Sequence, residues 1–315
     1  MKKAFIFPGQ GSQSVGMGKA LYEASSTARE IFGEVDEALK QKLSALMFNG
    51  PIEELALTEN TQPALLAVSL AVLRTLEKEA GLKMNSAAFM AGHSLGEYSA
   101  LAATRSIGLA DTARLLKRRG QAMQKAVPQG QGAMAALLGV DLPVAQEIAK
   151  LAAQGQICVV ANDNSPGQVV ISGHRQAIER AQIIAKEKGA KRCLILDVSV
   201  PSHSPLMAPA ADEMADALAD ISLNKPLVPV VANVTAQGVE EPNEIRRLLI
   251  EQITNRVRWR ESVTYMKEQG VAQMIEIGAG KVLAGLVKRC EPDITVLSIE
   301  TPADIEAFLK LAQAA

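Results

Sequence analysis

Read for the alternation of apolar and polar positions, the chain resolves into short apolar runs, each closed by a turn, and longer stretches of helical spacing. Residues 3–7 form an apolar run ending in Pro8-Gly9, the pattern of a buried strand followed by a tight turn. From about 19 to 82 the spacing is helical, punctuated by Pro51, Asn60 and Gly81, with 61–80 as the longest amphipathic run. A second buried strand is expected at 87–91, a helix continuing through 98–104 and another over 110–126.

Beyond Gly132 the rhythm changes. Strand 133–138, helix 142–153, strand 157–161, turn 162–167, strand 168–172, helix 175–188 and strand 192–198 follow in the order β-α-β-β-α-β. That order predicts a ferredoxin-like small subdomain with both helices on one face of a four-stranded sheet. The fold class expected is therefore α/β: a large domain with a mostly parallel sheet, built from 1–128 and 199–315, and an inserted subdomain over 129–198. The chain returns to the large domain through Pro201-Ser202-His203-Ser204-Pro205, a helix at 208–219 and a strand near 228–232. Another strand, at 273–277, runs into the turn Gly278-Ala279-Gly280-Lys281 and a further helix. No internal repeat or low-complexity tract interrupts it.

Composition narrows the function. The 315 residues are 48% hydrophobic and 21% charged with a net charge of −1, so no global field recruits nucleic acid or an anionic membrane. The sequence has no apolar run of about eighteen residues and no secretory leader pattern at Met1-Lys2-Lys3, which predicts a cytoplasmic protein. Its three cysteines, Cys158, Cys193 and Cys290, are odd in number and unclustered, as buried thiols in a reducing compartment would be; neither a metal site nor a disulfide is expected.

The stretch with chemistry in it is Ala91-Gly92-His93-Ser94-Leu95-Gly96-Glu97-Tyr98. A serine in G-x-S-x-G spacing between a strand and a helix is a nucleophile elbow, with Gly92 and Gly96 where strand and helix approach too closely for side chains. Only three histidines can serve as base. His93 adjoins Ser94 where neighbouring side chains diverge, and His174 sits at a strand end in the small subdomain. His203, displayed on a Ser/Pro-rich loop, is the candidate. The Leu95 N–H is one oxyanion donor, and the turn Gly9-Gln10-Gly11 offers the Gln10 N–H if strand 3–7 lies beside the elbow strand. That turn is neither a G-x-G-x-x-G fingerprint nor a P-loop. No acid is singled out: Asp197 and Asp212 are nearest His203 in sequence, and a backbone carbonyl or amide would orient a Ser-His dyad equally well. Lys117-Arg118-Arg119 spans nearly a helical turn, so the three cations point apart, and the ordinary fate of such a run is a solvated face. Gln62, before Pro63, reads as a first-turn solvent amide.

Taken together, Phe7-Pro8-Gly9-Gln10-Gly11-Ser12-Gln13, Thr58-Glu59-Asn60-Thr61-Gln62-Pro63, Gly92-His93-Ser94-Leu95-Gly96-Glu97-Tyr98, Arg119-Gly120, Gly167-Gln168-Val169-Val170-Ile171-Ser172-Gly173 and Val200-Pro201-Ser202-His203 resemble, end to end, the successive motifs of malonyl-CoA:acyl carrier protein transacylases. The resemblance implies an α/β-hydrolase-like domain with a ferredoxin-like insertion. It makes Ser94 the acyl-accepting nucleophile, His203 its base and the Gln10 and Leu95 amides the oxyanion hole. Arg119 becomes the clamp for the malonyl carboxylate, with Gln62 lining the acyl pocket and the Asn162 region the groove between subdomains. It further suggests that the Arg256-Val257-Arg258-Trp259 stretch helps to hold the histidine, where an arginine at 258 replaces the amide of some relatives. The implied partners are malonyl-CoA and an acidic acyl carrier protein met by basic residues among Lys191, Arg192, Arg256, Arg258, Lys281, Lys288 and Arg289. Coenzyme A is then substrate, no cofactor is called for, and a monomer is expected. An esterase or thioesterase, a transferase for another extender such as methylmalonyl, and a non-catalytic carrier-binding subunit remain as alternatives on sequence grounds.

Overall fold

The computed structural model describes residues 1–198 and 200–313. Ser199, the first residue of the second large-domain segment as read from sequence, and Ala314 and Ala315, its last, lie outside the described residues.

The larger sheet has six strands in the order β10-β9-β1-β2-β7-β8. These are β1 (Lys2–Phe7), β2 (Phe89–Gly92), β7 (Val230–Val231), β8 (Gly238–Val239), β9 (Val271–Ile277) and β10 (Thr295–Ile299). All pairings are parallel except the short β7–β8 pair. β1 is apolar on both faces because helices cover both, the usual reason a central parallel strand reads as a continuous hydrophobic run. Its connection leads to β2 on one side, while β9 leads to β10 on the other, so the crevice beyond the carboxyl ends of these strands is a topological switch point. Phe7 is paired with Gly92, and the glycine turn and the elbow therefore leave the sheet side by side.

The smaller sheet contains β3 (Gly132–Leu138), β4 (Cys158–Ser165), β5 (Gln168–His174) and β6 (Arg192–Ile195), all antiparallel, in the order β4-β5-β3-β6. The helices Leu142–Ala153 and Arg175–Glu187 pack on one face, against Ala133, Ala135, Leu137, Val169 and Ile171. The other face, with Met134, Ala136 and Val170, looks toward the elbow. This is the ferredoxin-like arrangement read from the order of elements.

Three local expectations change. The stretch 162–167 is not a turn: β4 runs to Ser165 through two register irregularities, and only Pro166-Gly167 turns. The strand expected at 192–198 stops at Ile195, where the chain leaves the sheet to line the central cavity with Leu196 and Val198. The long helix is Thr58–Ala80, with Pro63 inside it, and it is buried nearly end to end rather than amphipathic. Helices Ser26–Leu39, Leu95–Ala103 and Leu109–Ala126 pack around it and leave little of it a solvent face. No described helix is long and apolar enough to cross a membrane.

Candidate active site

Ser94 sits between β2 and the helix Leu95–Ala103 with φ 53° and ψ −109°, a conformation L-residues rarely adopt and that costs roughly 1–3 kcal/mol. The surroundings hold it there. A Cβ on Gly92 would meet the backbone of Gly96, and one on Gly96 would meet the carbonyl oxygen of Phe7, so only glycine lets strand, helix and β1 come together. The Ser94 N–H donates to Asn233 Oδ1 at 2.7 Å, while Asn233 Nδ2 donates to the Gly92 carbonyl at 2.7 Å. One amide side chain from beyond β7 thus straps the elbow on both sides.

The Ser94 hydroxyl meets two side chains. Its Oγ lies 2.8 Å from His203 Nε2 and accepts from Arg119 Nη2 at 3.1 Å. His203 Nδ1 is 2.8 Å from the backbone oxygen of Gln252. A carbonyl only accepts, so Nδ1 carries the proton, Nε2 is the acceptor, and the Ser94 O–H donates to it. His203 is buried, with a φ of 58°. Desolvation, followed by the charge of Arg119, lowers its imidazole to about 3. Asp197 and Asp212 are exposed and do not bond the imidazole. Arg258 does not orient it either: its guanidinium pairs with Glu261 and bonds the Val234 carbonyl.

Arg119 is 1% exposed, which overturns the solvated-face reading for one of the three consecutive cations. Lys117 reaches Gln41, Asn60 and Glu59, and Arg118 pairs with Glu213, so the three do point apart, but only Arg119 turns inward. Its Nη1 donates to Gln62 Oε1 at 2.8 Å and its Nη2 to Gln252 Oε1 at 2.9 Å, and its Cζ lies 5.5 Å from the Tyr98 ring centre. None of these partners is a carboxylate. Burial lowers its pKa, yet a guanidinium stays charged at neutral pH. Gln62, 1% exposed and inside the long helix, is not a solvent amide. Gly120 permits this approach, because a Cβ there would meet the backbone of Glu59.

Beneath the elbow lies Glu97, 3% exposed. Its Oε2 accepts from Asn233 N at 3.0 Å and Gln252 Nε2 at 2.8 Å, and the same Nε2 reaches the Ser94 carbonyl at 3.0 Å. Desolvation raises the Glu97 carboxyl to about 7 against these bonds and the charge of Arg119. Glu97, Asn233 and Gln252 are absent from the sequence-based site. Glu97 stood within the elbow motif, but Asn233 and Gln252 carry no local pattern that marks them.

A cavity of about 360 Å³ opens over Ser94. Its lining includes Gln10, Gln62, Ser94, Leu95, Arg119 and His203 from the large domain, and Asn162, Asn164, Gln168 and Val170 from the small sheet. Neither the Gln10 N–H nor the Leu95 N–H meets an acceptor among the described residues, while the Gln10 side chain bonds Thr58 Oγ1. His93 also lines the cavity, with Nε2 2.8 Å from Asn164 Oδ1 rather than on Ser94. His174 is spent locally, accepting from the Ile157 N–H. The arrangement can deprotonate a hydroxyl, place an acyl group on it and receive a carboxylate beside it.

Residues 4–296 match the family model described as an acyl transferase domain. The malonyl CoA-acyl carrier protein transacylase of Bacillus subtilis strain 168 is 46% identical over 310 residues, covering 98% of this chain and 96% of its own. The protein of the same name from Escherichia coli K12 is 48% identical over 308 residues, covering 98% and 99%. Among solved structures, an acyl-carrier-protein-S-malonyltransferase from Bartonella henselae superposes with a TM-score of 0.97 at 50% identity, over 99% of this chain and all of that one. A malonyl-transacylase in complex with its type II PKS acyl-carrier protein superposes with a TM-score of 0.96 at 44% identity, over 99% of this chain and 100% of that one.

Proposed function

The chain belongs to the acyl transferase family of the malonyl CoA-acyl carrier protein transacylases, and from that premise we propose that it carries malonyl from coenzyme A to the thiol of an acyl carrier protein through an ester on Ser94. Malonyl transfer of this kind supplies extender units for fatty-acid synthesis. The observation that carries the reading is that one hydroxyl oxygen, Ser94 Oγ, touches both an unprotonated imidazole nitrogen and a buried guanidinium that bonds no carboxylate among the described residues.

In the first half-reaction His203 Nε2 takes the Ser94 proton as Oγ attacks the thioester carbonyl. The new C–O bond places negative charge on the carbonyl oxygen, toward the N–H groups of Leu95 and Gln10; a donor of this kind is worth about 3 kcal/mol. The C–S bond breaks, and coenzyme A leaves with the proton that His203 held. The carrier thiol then gives its proton to His203 and attacks the ester, and the returning proton restores the serine. The free carboxylate of malonyl pairs with Arg119, whose buried Nε has no acceptor among the described residues. Gln62 and Gln252 hold the guanidinium in place, and Asn162 and Asn164 offer amides along the groove. Coenzyme A enters as part of the substrate and no resident cofactor is invoked.

An acidic carrier would dock where the helix Val282–Cys290 borders the cavity. Lys281, Lys288 and Arg289 are exposed there, and Lys191 and Arg192 are exposed on the small subdomain. Arg256 and Arg258 leave this set, since both pair with Glu261. The cytoplasm and a monomer go with this reading, and the three cysteines are free thiols, as a reducing compartment would leave them. Intact mass after mixing with malonyl-, methylmalonyl- and acetyl-CoA tests it, with Ser94→Ala as control. The expected result is one malonyl adduct that the control lacks. No adduct, or hydrolysis with no transfer to carrier, would overturn the reading.

A further inference from the structure

Asp163 lies between Asn162 and Asn164, which both line the cavity, and does not line it itself. It turns the other way, 1% exposed, to accept from Arg260 through both carboxylate oxygens: Nε at 3.2 and 3.0 Å and Nη2 at 2.8 Å. Arg260 belongs to the large domain, in the helix Trp259–Glu268. The backbone repeats the tie. Asp163 N donates to Val257 O at 2.9 Å, Val257 N donates to Ala161 O at 2.8 Å, and Asn162 forms an isolated parallel bridge with Val257. All of this falls where β4 has its two register irregularities against β5. A bulged strand end is re-aimed by its bulges and needs an outside anchor to keep one direction.

We propose that the Asp163–Arg260 pair is a positioning clamp between the subdomains, holding the end of β4 so that Asn162 and Asn164 face the cavity and set the width of the groove that receives the pantetheine arm. The bidentate geometry suits arginine, whose planar fork fixes the angle as well as the distance, and the near-complete burial of Asp163 gives the carboxylate no alternative partner in water. His93 reads the result from the other side, since its bond to Asn164 Oδ1 joins the elbow to the same strand end. The clamp touches no reacting atom. Its loss therefore weakens binding of the long thioester and spares the step at Ser94.

The clamp rests on the transferase reading for its substrate, and the test separates the two. In Arg260→Met, the KM for malonyl-CoA and the Kd for free coenzyme A, by calorimetry, should each rise roughly tenfold with kcat within about twofold. The kcat/KM for malonyl-N-acetylcysteamine, which lacks most of the arm, should stay within about twofold. The double variant Asp163→Asn with Arg260→Gln keeps a hydrogen bond without a buried charge and should recover most of the affinity. An equal loss with the long and short thioesters, an unchanged coenzyme A affinity, or a double variant that melts like the parent yet binds no better than Arg260→Met would each overturn the clamp. Failure of the parent protein to acylate Ser94 while coenzyme A binding still depends on Arg260 would overturn the transferase reading and leave the clamp standing.

Discussion

His203 Nδ1 donates to the backbone oxygen of Gln252 at 2.8 Å, so a peptide carbonyl orients the imidazole where other serine enzymes use a carboxylate. A carbonyl holds the tautomer but carries no charge to stabilise imidazolium. Asp197→Asn and Asp212→Asn should therefore leave the rate constant for Ser94 acylation within about twofold, measured by rapid quench. A loss of a hundredfold or more in either would mean that an acid acts on His203 after all.

The same surroundings set the pH profile. Burial and Arg119 hold His203 at about 3, so the base is already unprotonated through the whole neutral range. Acylation by malonyl-CoA should stay level as the pH falls from 8 through 6.5, without the half-loss an ordinary histidine would give. Protonation is resisted in the fold and not in the unfolded chain, so this group makes stability fall as pH drops below 6.5. An acylation inflection near 6.5 that survives Glu97→Gln would refute the depressed base.

Arg119 meets two amide oxygens and a hydroxyl, and among the described residues no carboxylate is hydrogen-bonded to this buried guanidinium. Arg119→Ala should lower kcat/KM for malonyl-CoA roughly a hundredfold or more, and that for acetyl-CoA by less than about fivefold. Competition between the two thioesters reads the ratio directly. Retained malonyl preference would remove the reason for a carboxylate clamp and favour a hydrolase.

Gly120 sets how closely the helices carrying Arg119 and Gln62 approach, since a Cβ at 120 would lie 2.6 Å from the Glu59 nitrogen. Gly120→Ala must push them apart. We expect a stability loss of about 1–3 kcal/mol by denaturant melting, together with a raised KM for malonyl-CoA. Unchanged kinetics in a folded variant would show that the Arg119–Gln62 bond does not depend on this contact.

Glu97 is a buried acid raised from 4.5 to about 7 by desolvation. Between those values the folded state keeps a proton that the unfolded chain has lost, so this group makes stability decline as pH rises through the window. Glu97→Gln removes that term while leaving an oxygen to accept from Asn233 and Gln252. The melting temperature of the variant relative to the parent should thus be higher at pH 8 than at pH 5. A difference that does not vary with pH would mean Glu97 titrates as an exposed acid does.

How much was legible in the chain depends on how far each feature reaches. The elbow is local: a buried strand, a serine and two glycines at fixed spacing, with the steric need for both glycines contained in a few residues. The small subdomain is local too, since its six elements are contiguous and follow one characteristic order. His203 was reachable by scarcity, because only three histidines exist and two were poorly placed. Periodicity failed for the helix Thr58–Ala80 because helices from elsewhere in the chain cover its outward face, turning Gln62 from a solvent amide into an active-site contact.

The sequence by itself marked the candidate nucleophile, the strand-turn-helix that strains it and the small subdomain, because each follows from residues close together along the chain. Only the tertiary structure shows how the groups around that serine are bonded, and it adds Glu97, Asn233 and Gln252 to them. Bond geometry picks Arg119 from its two neighbouring cations by partners 57 and 133 residues away, and Glu97 meets Asn233 across 136. Gln252 reaches His203 through its backbone, which every residue possesses and no side-chain pattern can mark. Contacts of that kind are written in the way two sheets and their helices pack, and become visible only once the chain has closed on itself.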